Sequence, residues 1–289
     1  MILWLNCVNN DKTYTKKNYL LDAADRLGFN SSSSKFIIAD YDGFSLQTPP
    51  GYVLNIEPFK TFVKGEKWTG IWEIDLVLNR DEVSMSDWGQ CDDVFIANST
   101  VPEKYKDFKH LCQLLFQACD PIIHRRIEDI TPKYDFVFSG SIGLEFYEKR
   151  EKYLSLLREK FSFADFGKNH EPKEYVKYLN EARVQFVQSG SNSTAPEGYI
   201  AQRFFECLAI GPVLTNYHPD LDLLGLIENI DYMCFRDEIE LIEKMNLLIK
   251  DKDLRKSIQK NGRKKALMSH TYEHRLMSII NRVREQGAK

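Results

Sequence analysis

The sequence has no apolar run that approaches the ~20 residues needed to cross a bilayer. Its opening residues, MILWLNCVNN, contain one short apolar stretch and no basic segment before it. This pattern is typical of a first β-strand rather than of a secretion signal. The two absences predict a cytoplasmic protein without a membrane span.

Sequence signals for disulfides and metal sites are also scarce. The six cysteines include no CxxC pair and no Cys/His cluster with zinc-ligand spacing. Most lie in apolar runs, which predicts buried free thiols in a reducing compartment. The Asp40-Tyr41-Asp42 triplet matches the metal-binding DxD pattern formally, but its surroundings favour a turn. We therefore expect no metal and no cofactor.

The charge distribution lacks a basic excess. Residues 1–133 carry 15 basic and 19 acidic side chains, and the remainder carries 24 and 23. A surface that binds duplex nucleic acid normally needs a clear positive excess. The overall charge therefore argues against such a surface in the first half, although it does not exclude a local basic patch.

The residues that are present predict an α/β protein of two domains. A length of 289 residues suits two domains rather than one. Short apolar runs alternate with amphipathic segments, most clearly in the second half, which predicts βαβ units and parallel sheets. A charged segment with two prolines, 118–134, reads as the connection. We place the domains at 1–130 and 131–269, followed by a C-terminal helix at 270–289.

The predicted strands follow the apolar runs. Residues 58–90 are ambiguous between helix and strand. The first half contains ILWLNCV, FIIAD, YVLNIE, CDDVFIANS and LCQLLFQA, and the second contains YDFVFSG, FSFADFG, RVQFVQS and PVLTN.

One candidate binding loop is Ser139-Gly140-Ser141, which follows a predicted strand and precedes a predicted helix. Small residues at such a place allow backbone N–H groups to approach a phosphate, and the helix dipole favours negative charge. The loop is neither GxGxxG nor a P-loop, and an ordinary strand-to-helix turn explains it equally. Arg150 in the following helix can reach a diphosphate, or it is a solvated arginine between two glutamates.

The segment TAPEGYIAQRFFECLAIGPVLTN is the most informative in the chain. Arg203 and Glu206 share one helix face, and a carboxylate at 206 can accept two hydrogen bonds from a ribose diol. A surface Arg–Glu pair is the alternative. Glu197 fits a capping box with the threonine before it as well as it fits a ligand role. We expect Gly211 to end the helix in the left-handed conformation.

Several motifs in order resemble one family. CDDVFIANS is similar to the strand that ends its first domain, and ACDP to its interdomain segment. YDFVFSGSIG followed by Arg150 resembles the opening of its donor domain. EGYIAQRFFECLAIGPVLTN resembles its R-x-F-E-x-l-A-x-G core, and SHTYEHR its final H-T-Y-x-x-R. The family is the CgeB-like (spore-maturation-protein-like) GT-B glycosyltransferases, relatives of the family 4 retaining enzymes, and the resemblance covers about residues 90–280.

The resemblance implies a GT-B fold, in which two Rossmann-like α/β domains face each other across a cleft. It implies a hexosyltransferase that is retaining and independent of metal, with a nucleotide-diphosphate sugar, most often a UDP-sugar, as donor. Glu206 would bind the ribose, and the C-terminal helix would cross back to the first domain. The other donor-binding residues would be Ser139, Gly140, Ser141, Arg150, Gly198, Tyr199, Ile200 and Arg203.

Two departures keep other functions open. The family usually has E-x7-E, whereas Glu197 and Glu206 give E-x8-E, and its G-x-l-x-x-x-K-G segment is absent. A non-catalytic nucleotide- or sugar-binding module, an epimerase and a transferase acting on modified phage DNA are alternatives on the same fold. The acceptor can be a glycan, a protein or a nucleic-acid base. No histidine precedes residue 110, so the early loops of the first domain lack a histidine base. The catalytic residues stay open, with Arg203 and His218 as candidates.

Overall fold

A computed structural model of the chain describes the larger part of both predicted domains. It divides into two compact units: residues 1–117 together with 272–289, and residues 118–271. The sequence-based boundaries lie near 130 and 270. The described residues are 2–7, 16–29, 37–40, 52–56, 63–73, 88–101, 103–140, 142, 148–165, 171–189 and 200–287.

Unit 1 is built on a parallel six-stranded sheet with the order β2-β1-β3-β4-β5-β6. Helix α1 (Lys16–Arg26), a 3-10 helix (Glu103–Leu111) and the C-terminal helix α7 (Tyr272–Gly287) accompany the sheet. The strands are β1 (Ile2–Cys7), β2 (Ile37–Asp40), β3 (Tyr52–Ile56), β4 (Trp68–Glu73), β5 (Asp93–Ile96) and β6 (Cys112–Leu114).

Polar contacts fix α7 to the rest of unit 1. The Arg282 Nε donates to Oδ1 of the fully buried Asp93 at 2.7 Å. The Arg275 Nε donates to the carbonyl oxygen of Phe116 at 2.7 Å, and its Nη2 to that of Gln117 at 3.0 Å. The arginine of the SHTYEHR motif therefore has a structural role, because it satisfies backbone carbonyls beyond β6.

Unit 2 holds a parallel five-stranded sheet with the order β11-β10-β9-β7-β8. Its strands are β7 (Tyr134–Phe138), β8 (Phe163–Asp165), β9 (Ala182–Val187), β10 (Val213–Asn216) and β11 (Met233–Phe235). Its helices are α2 (Glu148–Arg158), α3 (Pro172–Asn180), α4 (Gln202–Ile210), α5 (Glu238–Lys250) and α6 (Lys252–Ser269), with a 3-10 helix at Pro219–Leu224.

The sequence sets several helix boundaries in unit 2. Pro172 occupies the first turn of α3, where its missing N–H costs nothing. Asp237 caps α5 by accepting the Glu240 N–H, and Asp251 caps α6 in the same way. The apolar faces of these helices cover a core that includes Phe136, Phe186, Phe235, Leu241 and Met245.

Both units share one strand order. In each, the first strand lies between the second and third, and the fourth and fifth continue beyond the third. This is the 2-1-3-4-5 order of doubly wound sheets, which bind ligands beyond the carboxyl ends of the strands where the winding reverses. In unit 2 that switch point lies between β7 and β9. The topology therefore predicts a ligand site at the loops that follow β7 and β9.

Most predicted elements are confirmed. The ambiguous segment 58–90 contains β4, and the sequence prediction missed β11, whose three residues are too few to show a periodic pattern. The expected left-handed Gly211 is wrong, because its φ of −147° and ψ of 179° are extended. Glycine is favoured there by space: an added Cβ would lie 2.9 Å from the Gln185 Nε2.

Two further properties concern the described residues alone. None of their helices is long and apolar enough to cross a membrane. Among their cysteines, Cys119, Cys207 and Cys234 are buried free thiols, as expected, whereas Cys91 and Cys112 are only partly buried.

The packing of α6 against α4 gives a stability prediction. Alanine normally stabilises a helix relative to glycine by about 1 kcal/mol. At the buried Gly262, however, a Cβ would lie 2.4 Å from the Asp231 carbonyl oxygen and 2.7 Å from the Leu208 Cδ1. We expect Gly262→Ala to destabilise the protein by about 2 kcal/mol through overpacking.

A thermal melt checks this result against Lys260→Ala, at an exposed position of the same helix. The control should melt within about 1 °C of the wild type, since exposed substitutions change little. A Gly262→Ala protein that is as stable as the wild type would show that α6 is not packed as described.

Candidate functional site

The switch point of unit 2 carries a cluster of polar residues. Ser139 and Gly140 directly follow β7, and Gln188 and Ser189 directly follow β9. Ser139, Gln188 and Ser189 are buried, with exposed fractions of 7%, 6% and 2%. Because β7 and β9 are neighbours in a parallel sheet, these groups lie at one edge, where side chains from α2 and α4 reach them.

Arg150 of α2 is one of these side chains. Its Nε donates to the Gln188 Oε1 at 3.3 Å and its Nη2 to the Gln188 carbonyl oxygen at 3.4 Å. Its guanidinium lies 5.5 Å from the centre of the Phe138 ring. The side chain is 8% exposed, so the alternative of a solvated arginine is wrong.

The Phe138 ring also explains why residue 140 is a glycine. A Cβ at this position would lie 2.6 Å from the Phe138 Cζ. Any side chain at 140 would therefore push the ring against which the Arg150 guanidinium rests. The small residue predicted from the sequence as a phosphate-loop feature is also needed for this packing.

Arg203 connects α4 with the loop after β7. Its Nη1 donates to the Ser139 Oγ at 2.7 Å, and its guanidinium lies 6.0 Å from the centre of the Tyr175 ring. Two residues that the sequence assigned to one site, Arg203 and Ser139, are thus in direct contact. With Arg150, they bring two positive charges to the switch point.

Glu206 lies one helical turn further along α4 and is 5% exposed. Its Oε2 accepts the Tyr175 hydroxyl at 2.8 Å, and its Oε1 accepts the Gln202 Nε2 at 2.7 Å. Burial and the Glu206 charge raise the pKa of Tyr175 well above its usual value, so this hydroxyl stays protonated and donates. The burial of Glu206 rules out the alternative of a surface Arg–Glu pair.

His124 also faces this carboxylate, and the sequence prediction did not include it. Its Nε2 lies 3.5 Å from the Glu206 Oε1, and its Nδ1 accepts the Asp120 N–H at 2.9 Å. Complete burial lowers the pKa of His124, against the opposing charges of Glu206 and Asp120. A neutral imidazole that accepts at Nδ1 carries its proton on Nε2, on the side of the carboxylate. The available sequence signal was the ACDP motif, whose Asp120 lies four residues earlier.

Hydrogen bonds beyond β9 fix the start of α4. The Asn216 side chain accepts the Ser189 N–H and donates to the Ser189 carbonyl oxygen, both at 2.9 Å. The Ser189 Oγ accepts the Ala201 N–H at 3.3 Å. Ala201 is the N-cap of α4 and its methyl group makes no cap hydrogen bond. The preceding Ile200 is fully buried and anchors this helix end, whose dipole favours an anion.

His218 follows β10 on the same side of the sheet. It is 7% exposed, and in the part of the chain that the structure describes neither ring nitrogen has a hydrogen-bond partner. Burial lowers its pKa to about 4, against the charges of Asp220 and Asp222. His218 is therefore a neutral imidazole near neutral pH, separate from the hydrogen-bonded group around Glu206.

The remaining predicted residues lie outside the described residues: Ser141, Gly198 and Tyr199, together with Glu197. Within the described ranges, no group of three or more His, Cys, Asp or Glu side chains can hold a metal ion. The described part of the site thus combines one buried carboxylate, two arginines and the N-terminal end of a helix. Such a set can accept hydroxyl hydrogen bonds and stabilise a negatively charged group.

The region that holds this site matches a known family. Residues 121–281 match the model of a family described as glycosyl transferase-like. The match covers more than half of the 289 residues and contains every described residue of the site. No curated protein shows a significant sequence match.

Three solved structures share the fold over nearly the whole chain. A sucrose-phosphate synthase from Thermosynechococcus elongatus has 11% identity and a TM-score of 0.62, with 99% of both chains covered. The Anabaena HepE protein in complex with UDP and glucose has 9% identity and a TM-score of 0.60 over 98% of this chain and 99% of that one. The DNA-modifying enzyme β-glucosyltransferase has 13% identity and a TM-score of 0.55, with the same coverage. The likeness confirms the predicted α/β fold with two Rossmann-like units of the GT-B class.

Proposed function

Since the chain belongs to the glycosyl transferase-like family, we propose that it transfers a sugar from a nucleotide-diphosphate sugar bound at the switch point of unit 2. The observation that carries this proposal is the convergence of Glu206, Arg203, Ser139 and Arg150 at one edge of the sheet. Each residue has a chemistry that suits one part of such a donor.

Glu206 suits the ribose. A carboxylate offers about four acceptor positions, and the hydrogen bonds from Tyr175 and Gln202 occupy two of them. The remaining positions can accept the 2′- and 3′-hydroxyls of a nucleoside. A buried, oriented carboxylate discriminates strongly for a diol, because charge-assisted hydrogen bonds are about twice as strong as neutral ones.

The two arginines suit the diphosphate. Arg203 and Arg150 are held in place through Ser139 and Gln188, so their positive charges are fixed before a ligand arrives. Preorganised charge is the form in which a site best stabilises a leaving group that becomes more negative. The N-terminal end of α4 adds its dipole in the same region.

We propose that the nucleotide of the donor is UDP and that the enzyme is of the CgeB-like type. The UDP complex of the Anabaena HepE protein supports the first suggestion, and the motifs around Arg150 and Glu206 support the second. We further propose that transfer retains the anomeric configuration and needs no metal, because Arg150 and Arg203 can supply the positive charge.

The chemistry balances without a cofactor. The bond between the anomeric carbon and the donor phosphate oxygen breaks, and an acceptor hydroxyl forms the new bond on the same face of the sugar. The acceptor proton passes to an oxygen of the departing diphosphate, which acts as the base. His218 stays a candidate for contact with the sugar or the acceptor.

A thermal-shift series with UDP, GDP, dTDP, CDP and ADP tests the donor site. We expect UDP alone to raise Tm by several degrees, because a ligand at about 100 times its Kd stabilises by about 2.7 kcal/mol. Release of UDP from UDP-glucose or other UDP-sugars, with and without candidate acceptors, then tests turnover.

Each outcome has a distinct meaning. Binding without turnover for any donor and acceptor would favour the non-catalytic module. If no nucleotide shifts Tm, the proposed donor site is contradicted. An inverted anomeric linkage in the product, assigned by NMR, would contradict the retaining mechanism alone.

A further inference from the structure

Polar side chains from three separate elements surround the Glu206 carboxylate: two donate hydrogen bonds to it, and the His124 Nε2 faces its Oε1 at 3.5 Å. Gln202 lies on the same helix, Tyr175 lies on α3, and His124 lies in the segment that precedes β7. Gln202 is only partly buried and is the first residue of α4, so its side chain can turn away when a ligand arrives. Tyr175 and His124 are more firmly fixed.

His124 is the most firmly fixed of the three. It has no exposed surface, and the Asp120 N–H holds its Nδ1 at 2.9 Å. The Asp120 Oδ1 in turn accepts the N–H groups of Ile122 and Ile123, both at 2.9 Å. Hydrogen bonds within the turn at residues 120–124 thus set the orientation of the imidazole.

The Tyr175 ring holds the imidazole from a second side. The two rings meet edge to face, with their centres 6.4 Å apart and an interplanar angle of 83°. The Tyr175 hydroxyl contacts Oε2 of Glu206, whereas the His124 Nε2 faces Oε1. The pair therefore controls both the position and the rotation of the carboxylate plane.

We propose that His124 is a positioning residue, which holds Glu206 in the orientation that accepts the two ribose hydroxyls. This inference rests on the proposed role of Glu206 in nucleoside binding. His124 itself touches no substrate; it acts through the carboxylate, as outer residues orient the ligands of many metal and catalytic sites.

The test compares affinities for UDP and 2′,3′-dideoxy-UDP by calorimetry. The affinity for UDP divided by the affinity for 2′,3′-dideoxy-UDP measures the contribution of the ribose hydroxyls, because the two nucleotides share the base and the diphosphate. We expect His124→Phe, which keeps a ring but loses both nitrogens, to lower this ratio about fivefold, a change of about 1 kcal/mol. His124→Gln, whose amide N–H can replace the Nε2–H, should recover most of the ratio. His110→Phe, at an exposed histidine of unit 1, is the matched control and should leave it unchanged.

The outcomes separate the two proposals. A wild-type protein that binds both nucleotides equally would contradict the ribose role of Glu206. A preference of the same size in His124→Phe as in the wild type would overturn the positioning role. The same conclusion follows if His124→Gln is as defective as His124→Phe, because packing then explains the loss.

A measurement on the wild type covers the case in which the Phe variant does not fold. Nitrogen-15 NMR of the histidine side chains should show His124 protonated at Nε2, with a resonance that shifts with UDP and not with dideoxy-UDP. A proton on Nδ1, or equal shifts with both nucleotides, would overturn the proposal.

Discussion

Glu206→Gln is expected to weaken UDP binding about 100-fold. The substitution keeps the shape of the side chain but removes the charge and replaces one acceptor with a donor. Each of two charge-assisted hydrogen bonds to the ribose contributes about 1.5–3 kcal/mol, and 1.4 kcal/mol corresponds to a factor of ten. The N–H group of the new amide also meets either the Gln202 N–H or the Tyr175 hydroxyl, both of which donate to Glu206 in the wild type.

Calorimetry with UDP measures this loss, and a thermal melt without ligand shows how much of it is structural. Glu243→Gln, at an exposed position on α5, is the matched control and should bind UDP like the wild type. An unchanged Kd for Glu206→Gln would show that Glu206 does not bind UDP. The proposal of a nucleotide donor would then lose its main support.

Arg203→Ala is expected to lower kcat/KM for transfer about 100-fold, the typical cost of losing one preorganised donor at a developing negative charge. The effect should depend on the diphosphate. UDP affinity should fall strongly, whereas uridine affinity should stay close to that of the wild type, because Glu206 and its donors remain. Arg203→Lys should recover only part of the activity, since an ammonium keeps the charge but loses the planar fork.

Steady-state kinetics and calorimetry with UDP and uridine check these expectations. Arg284→Ala removes an exposed arginine of α7 and should change neither quantity. Equal losses for UDP and uridine would show that Arg203 acts as a support for Ser139 and α4 rather than as a phosphate ligand.

The sequence alone determined the fold class and indicated most residues of the candidate site. Alternating apolar and amphipathic segments follow from the periods of strand and helix, which are local properties. Local residue types also limit the helices: Pro172 lies in the first turn of α3, and Gly28, just after α1, has the positive φ of 76° that favours glycine. The R-x-F-E motif identified Arg203 and Glu206, because helical spacing places them on one face.

The tertiary structure alone decided how these residues are used. The order of strands in a sheet depends on pairing between distant segments, so the sequence could not place the loops after β7 and β9 side by side. Burial decided that Arg150 and Glu206 are not solvated surface groups. His124 joined the site because a turn folds its ring against Glu206, a contact between distant residues that no local pattern records.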